Sequence, residues 1–437
     1  MFFWLAFAKI LSPSDFGGLS LIIGTALLFV ILNELLISII IQKLHSSLTS
    51  YQFDSIITFS VFISLVFYIL FSTLAFIFNW GGAMLLFIGL FTCVFGVVQS
   101  IYKSDIEAKL NFKFLAKIEF FSALLSVISI LVILWFGVKP LLAASFYFFI
   151  IYIFKFLFYR KKVQPFNTEF REIDIKWVLK TIVSFKELVS FMTVNAYVRN
   201  ADNYLVVLNY GLSALGVYSF AYKVMLAPVT KVSGIVAKVL FPTLNKAPIL
   251  NGQFEILTVL FKIVFLLSII LMSFILFIQD ELANYFGFSN SIDFKSVLFW
   301  LCFSGVFQSV TSLLHVILVS AGNGNKLKSI SINYFILYSL VFLSSFVLSL
   351  KNFCFLYFIA TFLYFSYYMV VVYKSYLLSF FNKDFFFYLA CIVFFISTSA
   401  FYYKYKYTLF SLSLLCSITL VLYYLLLFKK KCKIFDF

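Results

Sequence analysis

The chain is a succession of long apolar segments separated by short polar stretches. Windows of about 20 residues, the length of helix that spans a bilayer core, identify fourteen such segments. They lie near residues 1–11, 19–41, 56–78, 83–101, 118–136, 141–158, 182–208, 214–240, 256–277, 297–320, 329–350, 354–373, 385–402 and 409–428. The segments are apolar on all faces, whereas strands of a membrane barrel alternate over about ten residues. The pattern therefore predicts an all-α polytopic membrane protein of fourteen spans, the first of them short.

Composition and charge agree with this fold class. Of the 437 residues, 64% are hydrophobic and 11% are charged, whereas about a quarter of a soluble domain is charged. If the amino terminus is cytoplasmic, twenty of the 33 lysines and arginines fall in cytoplasmic loops and five in outer loops. This asymmetry is the positive-inside pattern, so we expect both termini in the cytoplasm. The net charge of +16 is then a topology signal, and no nucleic-acid partner is expected.

The longest polar stretch, residues 159–181, separates the first six spans from the rest. It predicts four regions: an amino-terminal transmembrane lobe over 1–158, a cytoplasmic linker over 159–181, a second lobe over 182–373, and two additional helices with a basic tail over 374–437.

A weak internal repeat supports two lobes. Residues 14–20 read SDFGGLS and residues 213–219 read SALGVYS, with serine, glycine and serine matching. Six spans lie between the copies, so both lobes are expected to cross the membrane in the same orientation. Parallel repeats of this kind in transporters place the substrate site between the halves.

Polar residues interrupt the seventh span. Asn195, Arg199 and Asp202 share one helix face at spacings of four and three. A charged side chain at the bilayer centre costs about 2.5–3.5 kcal/mol on insertion scales. Two interpretations stay open: Arg199 and Asp202 form a pair within the helix, or the face lines a water-filled cavity.

The eighth span carries a stripe of basic and small residues at spacings of four, four, three and four. Its members are Lys223, Ala227, Lys231, Gly234 and Lys238. Lys231 is too deep to reach the interface easily, and Pro228 breaks the backbone ladder just before it. The stripe favours a cavity that accepts an anion.

Other polar residues within spans admit plainer interpretations. Glu34 in the second span is a counter-ion, a protonation site or a carboxyl bonded between helices, and these alternatives stay open. Gln308 and His315 share a face of the tenth span and predict hydrogen bonds between helices. Lys155 is expected to extend to the interface.

Nothing in the sequence indicates an enzyme. No nucleophile–base–acid arrangement, glycine-rich phosphate loop or zinc spacing appears, and the six cysteines form no C-x-x-C pair. A predicted outer loop, about 278–296, contains one lysine and no arginine, which disfavours a glycan polymerase. We expect no catalytic residue, no metal and no cofactor.

Several ordered segments resemble polysaccharide flippases of the Wzx type, of the multidrug/oligosaccharidyl-lipid/polysaccharide exporter superfamily. They are AKILSPSDFG (8–17), IIIQK (39–43), RNADNYLVVLNYG (199–211), LGVYSFAYKVMLAP (215–228), VLFPTL (239–244) and LVSAGNGNK (318–326). The chain departs from the family pattern at Glu34, at Val207 where a glycine is usual, and in its short first helix.

The resemblance implies two six-helix lobes around a central cavity, with two extra carboxy-terminal helices, in a bacterial cytoplasmic (inner) membrane. It implies flipping of undecaprenyl-pyrophosphate-linked oligosaccharides for O-antigen (lipopolysaccharide) or capsule biosynthesis. The partners would be the lipid-linked oligosaccharide, the bilayer, a glycan polymerase and chain-length machinery. The residues then predict substrate binding by Arg199, Lys223 and Lys231, and a cavity or ion-coupling role for Glu34, Asn195 and Asp202. The alternatives are a drug exporter of the same superfamily and a membrane glycan polymerase or glycosyltransferase.

Overall fold

The computed structural model describes residues 2–44, 49–80, 82–109, 111–161, 174–246, 251–288, 294–320 and 324–376. Within these ranges the regular structure is helical and no strand occurs. The predicted all-α fold class is therefore confirmed. The last two predicted spans lie outside the described residues, so the count of fourteen stays a prediction.

Thirteen helices occur in the described ranges. They are α1 Phe2–Ile10, α2 Pro13–Leu44, α3 Ser50–Ile77, α4 Ala83–Ala108, α5 Phe112–Trp135, α6 Pro140–Arg160, α7 Ile175–Ser184, α8 Lys186–Lys246, α9 Asn251–Phe277, α10 Gln279–Tyr285, α11 Phe294–Ser320, α12 Gly324–Ser344 and α13 Leu350–Tyr376. Ten of them contain a stretch long and apolar enough to cross a membrane; α1, α7 and α10 are shorter. The protein is thus a multi-pass membrane protein.

Local sequence signals set several helix starts. Thr49 and Gln52 form a reciprocal capping box at the start of α3. The Asn111 side chain accepts a hydrogen bond from the backbone of α5, and Pro140 opens α6, where its missing N–H is not needed. Asp174 caps α7 in the same way as Asn111 caps α5.

The chain divides into two compact units. The amino-terminal unit is Ala6–Ser219, and the carboxy-terminal unit joins Met1–Leu5 to Phe220–Phe437. The division into lobes on either side of residues 159–181 stays a prediction. The carboxy-terminal end of that predicted linker is helical, because α7 begins at Ile175.

In the amino-terminal unit, α4 packs against α2, α3, α5 and α6. Glycines permit the close approach: a Cβ on Gly89 would overlap the Tyr68 ring, and one on Gly96 would overlap the Val30 side chain. The Tyr68 hydroxyl donates to the Leu86 carbonyl oxygen at 3.1 Å. Small residues bring helices together in lipid because packing, rather than hydrophobic exclusion, drives their association there.

The two copies of the short repeat pack against each other. A Cβ on Gly17 would overlap the carbonyl oxygen of Leu212, and a Cβ on Gly216 would overlap the carbonyl oxygen of Pro13. Gly17 corresponds to Gly216 in the repeat, and Pro13 corresponds to Leu212. The contact is therefore reciprocal, with equivalent residues on each side.

Helix α8 is interrupted at Gly211, whose φ of 85° and ψ of 173° are not helical. The Tyr218 hydroxyl donates to Oδ2 of Asp202 at 2.6 Å. In an unbroken helix two residues 16 positions apart would be about 24 Å apart, so the chain reverses at Gly211. This break lies in the predicted gap between the seventh and eighth spans.

In the carboxy-terminal unit, α11 packs on α9 and α13, and α12 packs on α13. Gln308 donates to the Tyr357 hydroxyl at 3.1 Å, and the Tyr368 hydroxyl lies 3.4 Å from Nδ1 of His315. Both contacts join α11 to α13. The predicted hydrogen bonding of Gln308 and His315 between helices is confirmed.

Helix α5 exposes several large apolar side chains and buries two serines. The buried Ser122 and Ser126 donate to carbonyl oxygens one turn earlier in the helix. Phe120, Leu131 and Trp135 are exposed. This arrangement fits a lipid-facing helix, since the hydroxyl groups are satisfied by backbone within the helix.

Candidate functional site

The buried carboxyl group of Asp202 is the centre of the candidate site in the amino-terminal unit. Asp202 is 1% exposed. Its Oδ2 accepts the hydrogen bond from Tyr218, and its Oδ1 accepts from the backbone N–H of Asn203 at 2.8 Å. A buried polar group without a partner would be costly, so these donors hold the carboxyl group in place.

A second polar contact in the same unit joins α2 to the first half of α8. The Thr25 hydroxyl donates to the Leu21 carbonyl oxygen at 2.7 Å and lies 2.6 Å from the Tyr204 hydroxyl. Because the single hydroxyl proton of Thr25 goes to Leu21, the Tyr204 hydroxyl donates to Thr25. Phe71 packs edge-on against the Tyr204 ring.

Helices α2 and α3 are also linked by a polar contact. The Asn33 amide donates to the Phe29 carbonyl oxygen at 2.8 Å and to the Ser64 hydroxyl at 3.1 Å. Asn200 has a local partner, since its amide donates to the Ala196 carbonyl oxygen in its own helix. Asn33 can therefore connect helices, whereas the Asn200 bond stays within α8.

Lys223 is the candidate cationic residue of the carboxy-terminal unit. Its ammonium nitrogen lies 3.3 Å from the centroid of the Trp4 indole ring. An ammonium over an indole face is attracted by the ring quadrupole, and this attraction is stronger when water is excluded. The contact fixes the amino-terminal segment of α1 onto the second half of α8.

The structure reports on two of the six predicted site residues. Asp202 belongs to the amino-terminal unit and Lys223 to the carboxy-terminal unit. The side chains of Glu34, Asn195, Arg199 and Lys231 lie outside the described residues. Their roles, and the open question of an Arg199–Asp202 pair, stay predictions.

The sequence interpretation missed the partners of both described residues. The Tyr218 hydroxyl donates to Asp202, and the Trp4 ring contacts the Lys223 ammonium. In a chain that is 22% aromatic, neither aromatic residue stands out. The position of Tyr218 inside the second copy of the repeat was the one available signal.

Lys155 forms an ion pair with Glu119, whereas the sequence predicted that it extends to the interface. Its ammonium lies 2.6 Å from Oε2 of Glu119, joining α6 to α5, and only 12% of its side chain is exposed. The Tyr159 hydroxyl donates to the other oxygen of Glu119 at 3.3 Å. This cluster stabilises the helix pair and lies apart from the predicted substrate residues in sequence.

Comparison with protein families identifies the chain. A family model described as polysaccharide biosynthesis protein matches residues 6–248, more than half of the 437 residues. The chain belongs to this family. The matched range includes all six predicted site residues. The resemblance to a family of polysaccharide biosynthesis proteins is confirmed.

Solved transporter structures share the fold of this family member. The lipid II flippase MurJ in an inward closed conformation has a TM-score of 0.69 at 15% identity, covering 98% of this chain and 96% of that chain. An inward-facing multidrug resistance MATE family transporter of the MOP superfamily has a TM-score of 0.57 at 12% identity, covering 85% and 93%. These identities establish likeness of fold alone. Among curated proteins, none matches the chain.

Proposed function

We propose that the protein is a flippase that moves a lipid-linked oligosaccharide across a bacterial cytoplasmic membrane for surface polysaccharide biosynthesis. The observation that carries the proposal is the family match over residues 6–248, which includes every predicted site residue. The fold shared with a lipid II flippase supports a lipid cargo. The more specific proposal is an undecaprenyl-pyrophosphate carrier and an O-antigen or capsule repeat unit.

The basic stripe of α8 supports a pyrophosphate group on the cargo. Lys223 and Lys231 lie eight positions apart on one helix face. Charge-assisted hydrogen bonds from ammonium groups to phosphate oxygens are strong where water is excluded. Arg199 would add a planar, two-pronged contact of the kind that suits phosphate. The substrate would reach these residues from one side of the membrane and leave to the other by alternating access.

Drug export is the rival function within the superfamily. A MATE transporter with the same fold keeps this alternative open. A cavity for cationic drugs would favour acids, whereas the stripe in α8 is basic. Unchanged drug susceptibility in a deletion strain that loses its surface glycan supports flipping; hypersensitivity with intact glycan supports drug export.

A glycan polymerase or glycosyltransferase is the rival from another functional class. Such an enzyme extends or transfers sugars in detergent, where no two leaflets exist. Purified protein incubated with lipid-linked repeat units in detergent should leave their length unchanged. Any lengthening would favour the enzyme.

Lys231 gives the sharpest test of the flippase. Lys231→Ala should abolish flipping in proteoliposomes that contain the lipid-linked repeat unit, whereas Lys231→Arg should retain part of it because the charge survives. Lys186→Ala is the matched control, since this exposed lysine opens the same helix. Wild-type flipping by Lys231→Ala would overturn the basic-stripe mechanism.

In cells, the same substitution has a defined consequence. Lys231→Ala should abolish surface glycan display, with protein abundance near normal, and lipid-linked repeat units should accumulate on the inner leaflet. Accumulation of lipid-linked repeat units at normal protein abundance would indicate a transport defect and not a folding defect.

A further inference from the structure

Helix α7 has an exposed apolar stripe. Val178 is buried and, with Ile182, packs into the core of the amino-terminal unit. Ile175, Leu179 and Val183 recur at spacings of four, so they form a second line along the helix. Their side chains are 48%, 47% and 63% exposed.

The helix is held against the first turns of α3. The Asp174 backbone N–H donates to the Ser55 hydroxyl at 3.3 Å, and the Asp174 carboxylate accepts from the backbone N–H of Trp177 at 2.9 Å. Helices α3 and α7 pack directly on each other. The orientation of the exposed stripe is therefore set by the protein and not by a free linker.

Several helix ends meet beside α7. The ring centroids of Phe53 and Tyr102 are 6.3 Å apart, and those of Tyr102 and Phe156 are 5.9 Å apart. The start of α3 and the ends of α4 and α6 thus lie at one end of the amino-terminal unit. Exposed cations surround this end: Lys113, Lys117, Arg160 and Lys161.

Two lysines border the apolar stripe. Lys176 and Lys180 are exposed and four positions apart, each directly following a member of the stripe. The helix contains no acid, and the Asp174 carboxylate that precedes it accepts the capping hydrogen bond. An apolar face beside a basic edge is the pattern of helices that lie in the interface of an anionic membrane.

We propose that α7 lies in the headgroup region of the bilayer and binds anionic phospholipid. Its ten residues measure about 15 Å, too short to span a bilayer. Ile175, Leu179 and Val183 enter the boundary of the acyl chains, and Lys176 and Lys180 bind the phosphate-bearing headgroups. The apolar partner is the membrane that the neighbouring helices α3 and α4 already cross.

The test measures whether lipid reaches the stripe. An environment-sensitive fluorescent amino acid is placed at position 179 or, as the matched control, at position 184, which is exposed on another side of α7. The full-length protein is reconstituted in nanodiscs of phosphatidylcholine and phosphatidylglycerol. Lipids with a nitroxide at a shallow acyl position should quench the fluorophore at 179 more than the one at 184. Equal or weaker quenching at 179, as expected if protein covers the stripe, overturns the proposal.

A second arm tests the charge. Nitroxide carried by phosphatidylglycerol should quench position 179 more than the same nitroxide carried by phosphatidylcholine. Each lysine is expected to raise the preference for phosphatidylglycerol about fivefold. The double variant Lys176→Gln with Lys180→Gln should therefore lose the preference. Lys113→Gln with Lys117→Gln, at the same end of the unit but outside α7, should preserve it. A preference that survives loss of both α7 lysines overturns the assignment of the headgroup site.

Discussion

At the scale of single residues, the two described site residues are held by aromatic side chains in different ways. Asp202 accepts a hydrogen bond from the Tyr218 hydroxyl, and Lys223 lies on the indole face of Trp4. Tyr218 supplies a hydrogen-bond donor, whereas Trp4 supplies the electron-rich face of its ring. A membrane interior offers little water, so these partners decide whether the charged side chains can be accommodated.

Tyr218→Phe should destabilise the protein by about 1–3 kcal/mol, because it leaves a buried acceptor without one of its donors. Thermal unfolding in detergent, followed by intrinsic fluorescence, measures the effect. Tyr51→Phe removes the hydroxyl of a tyrosine that is 38% exposed and should leave the unfolding midpoint unchanged. Equal midpoints for the two variants would contradict a structural role for the Tyr218–Asp202 bond.

Asp202→Asn separates the charge of this residue from its size. The amide oxygen can still accept from the Asn203 N–H and the amide nitrogen can donate to the Tyr218 hydroxyl oxygen, so the variant should fold, but the ionisable group is lost. If Asp202 couples transport to an ion, flipping in proteoliposomes should fall and no longer respond to a proton or sodium gradient. Asn200→Ala is the control, since the Asn200 amide bonds within its own helix. An Asp202→Asn variant with wild-type rate and gradient response would leave the carboxyl group a structural role only.

Trp4→Leu should lower stability by about 0.5–2 kcal/mol, the range of cation–π interactions from exposed to desolvated sites. The loss should be small for Trp4→Phe, which keeps an aromatic face. Trp135→Leu is the control because that indole is 83% exposed. A shift in unfolding midpoint that is the same for Trp4→Leu and Trp135→Leu would argue against the contact.

At the scale of helices, the apolar pattern anticipates the positions of the elements. The predicted span 141–158 lies within α6, Pro140–Arg160, and the predicted span 297–320 lies within α11, Phe294–Ser320. The polar gap between the seventh and eighth spans coincides with the break at Gly211. Hydropathy succeeds here because lipid requires each backbone group to be satisfied within its own helix.

Short helices and contacts between helices are harder to predict from hydropathy. Helix α7 was not predicted, since ten residues with two lysines resemble a polar linker in a window of about 20 residues. The Asp202–Tyr218 bond depends on a chain reversal at one glycine, and the Thr25–Tyr204 contact joins residues 179 positions apart. Such pairings arise from packing, which a pattern along one helix does not encode.

The reciprocal glycine contact gives a prediction at this scale. Gly17→Ala and Gly216→Ala should each destabilise the protein by about 1–3 kcal/mol, because the added methyl group meets backbone that cannot rotate away. Gly24→Ala in the same α2 helix has open space around its Cβ, and alanine there should stabilise the helix by about 0.5–1 kcal/mol. Opposite signs for Gly17→Ala and Gly24→Ala in thermal unfolding would establish the close approach; matching signs would refute it.

At the scale of the whole molecule, the distribution of charge predicts the orientation in the membrane. In the amino-terminal unit the structure gathers Lys113, Lys117, Arg160 and Lys161 at one end, because the starts and ends of successive helices alternate. The positive-inside rule places such an end in the cytoplasm. The predicted outer loop, about 278–296, contains Asp280 and Lys295, which are joined by a 2.6 Å ion pair, and it holds three acids against one lysine.

Reporter fusions test this orientation directly. Fusions after Lys162 and after Lys433 should report the cytoplasm, and a fusion near Asp280 should report the outer side. The fusion after Lys162 is decisive, because the 159–181 stretch holds six of the twenty basic residues assigned to cytoplasmic loops. An outer position for that fusion would overturn the predicted orientation, and the positive-inside argument with it.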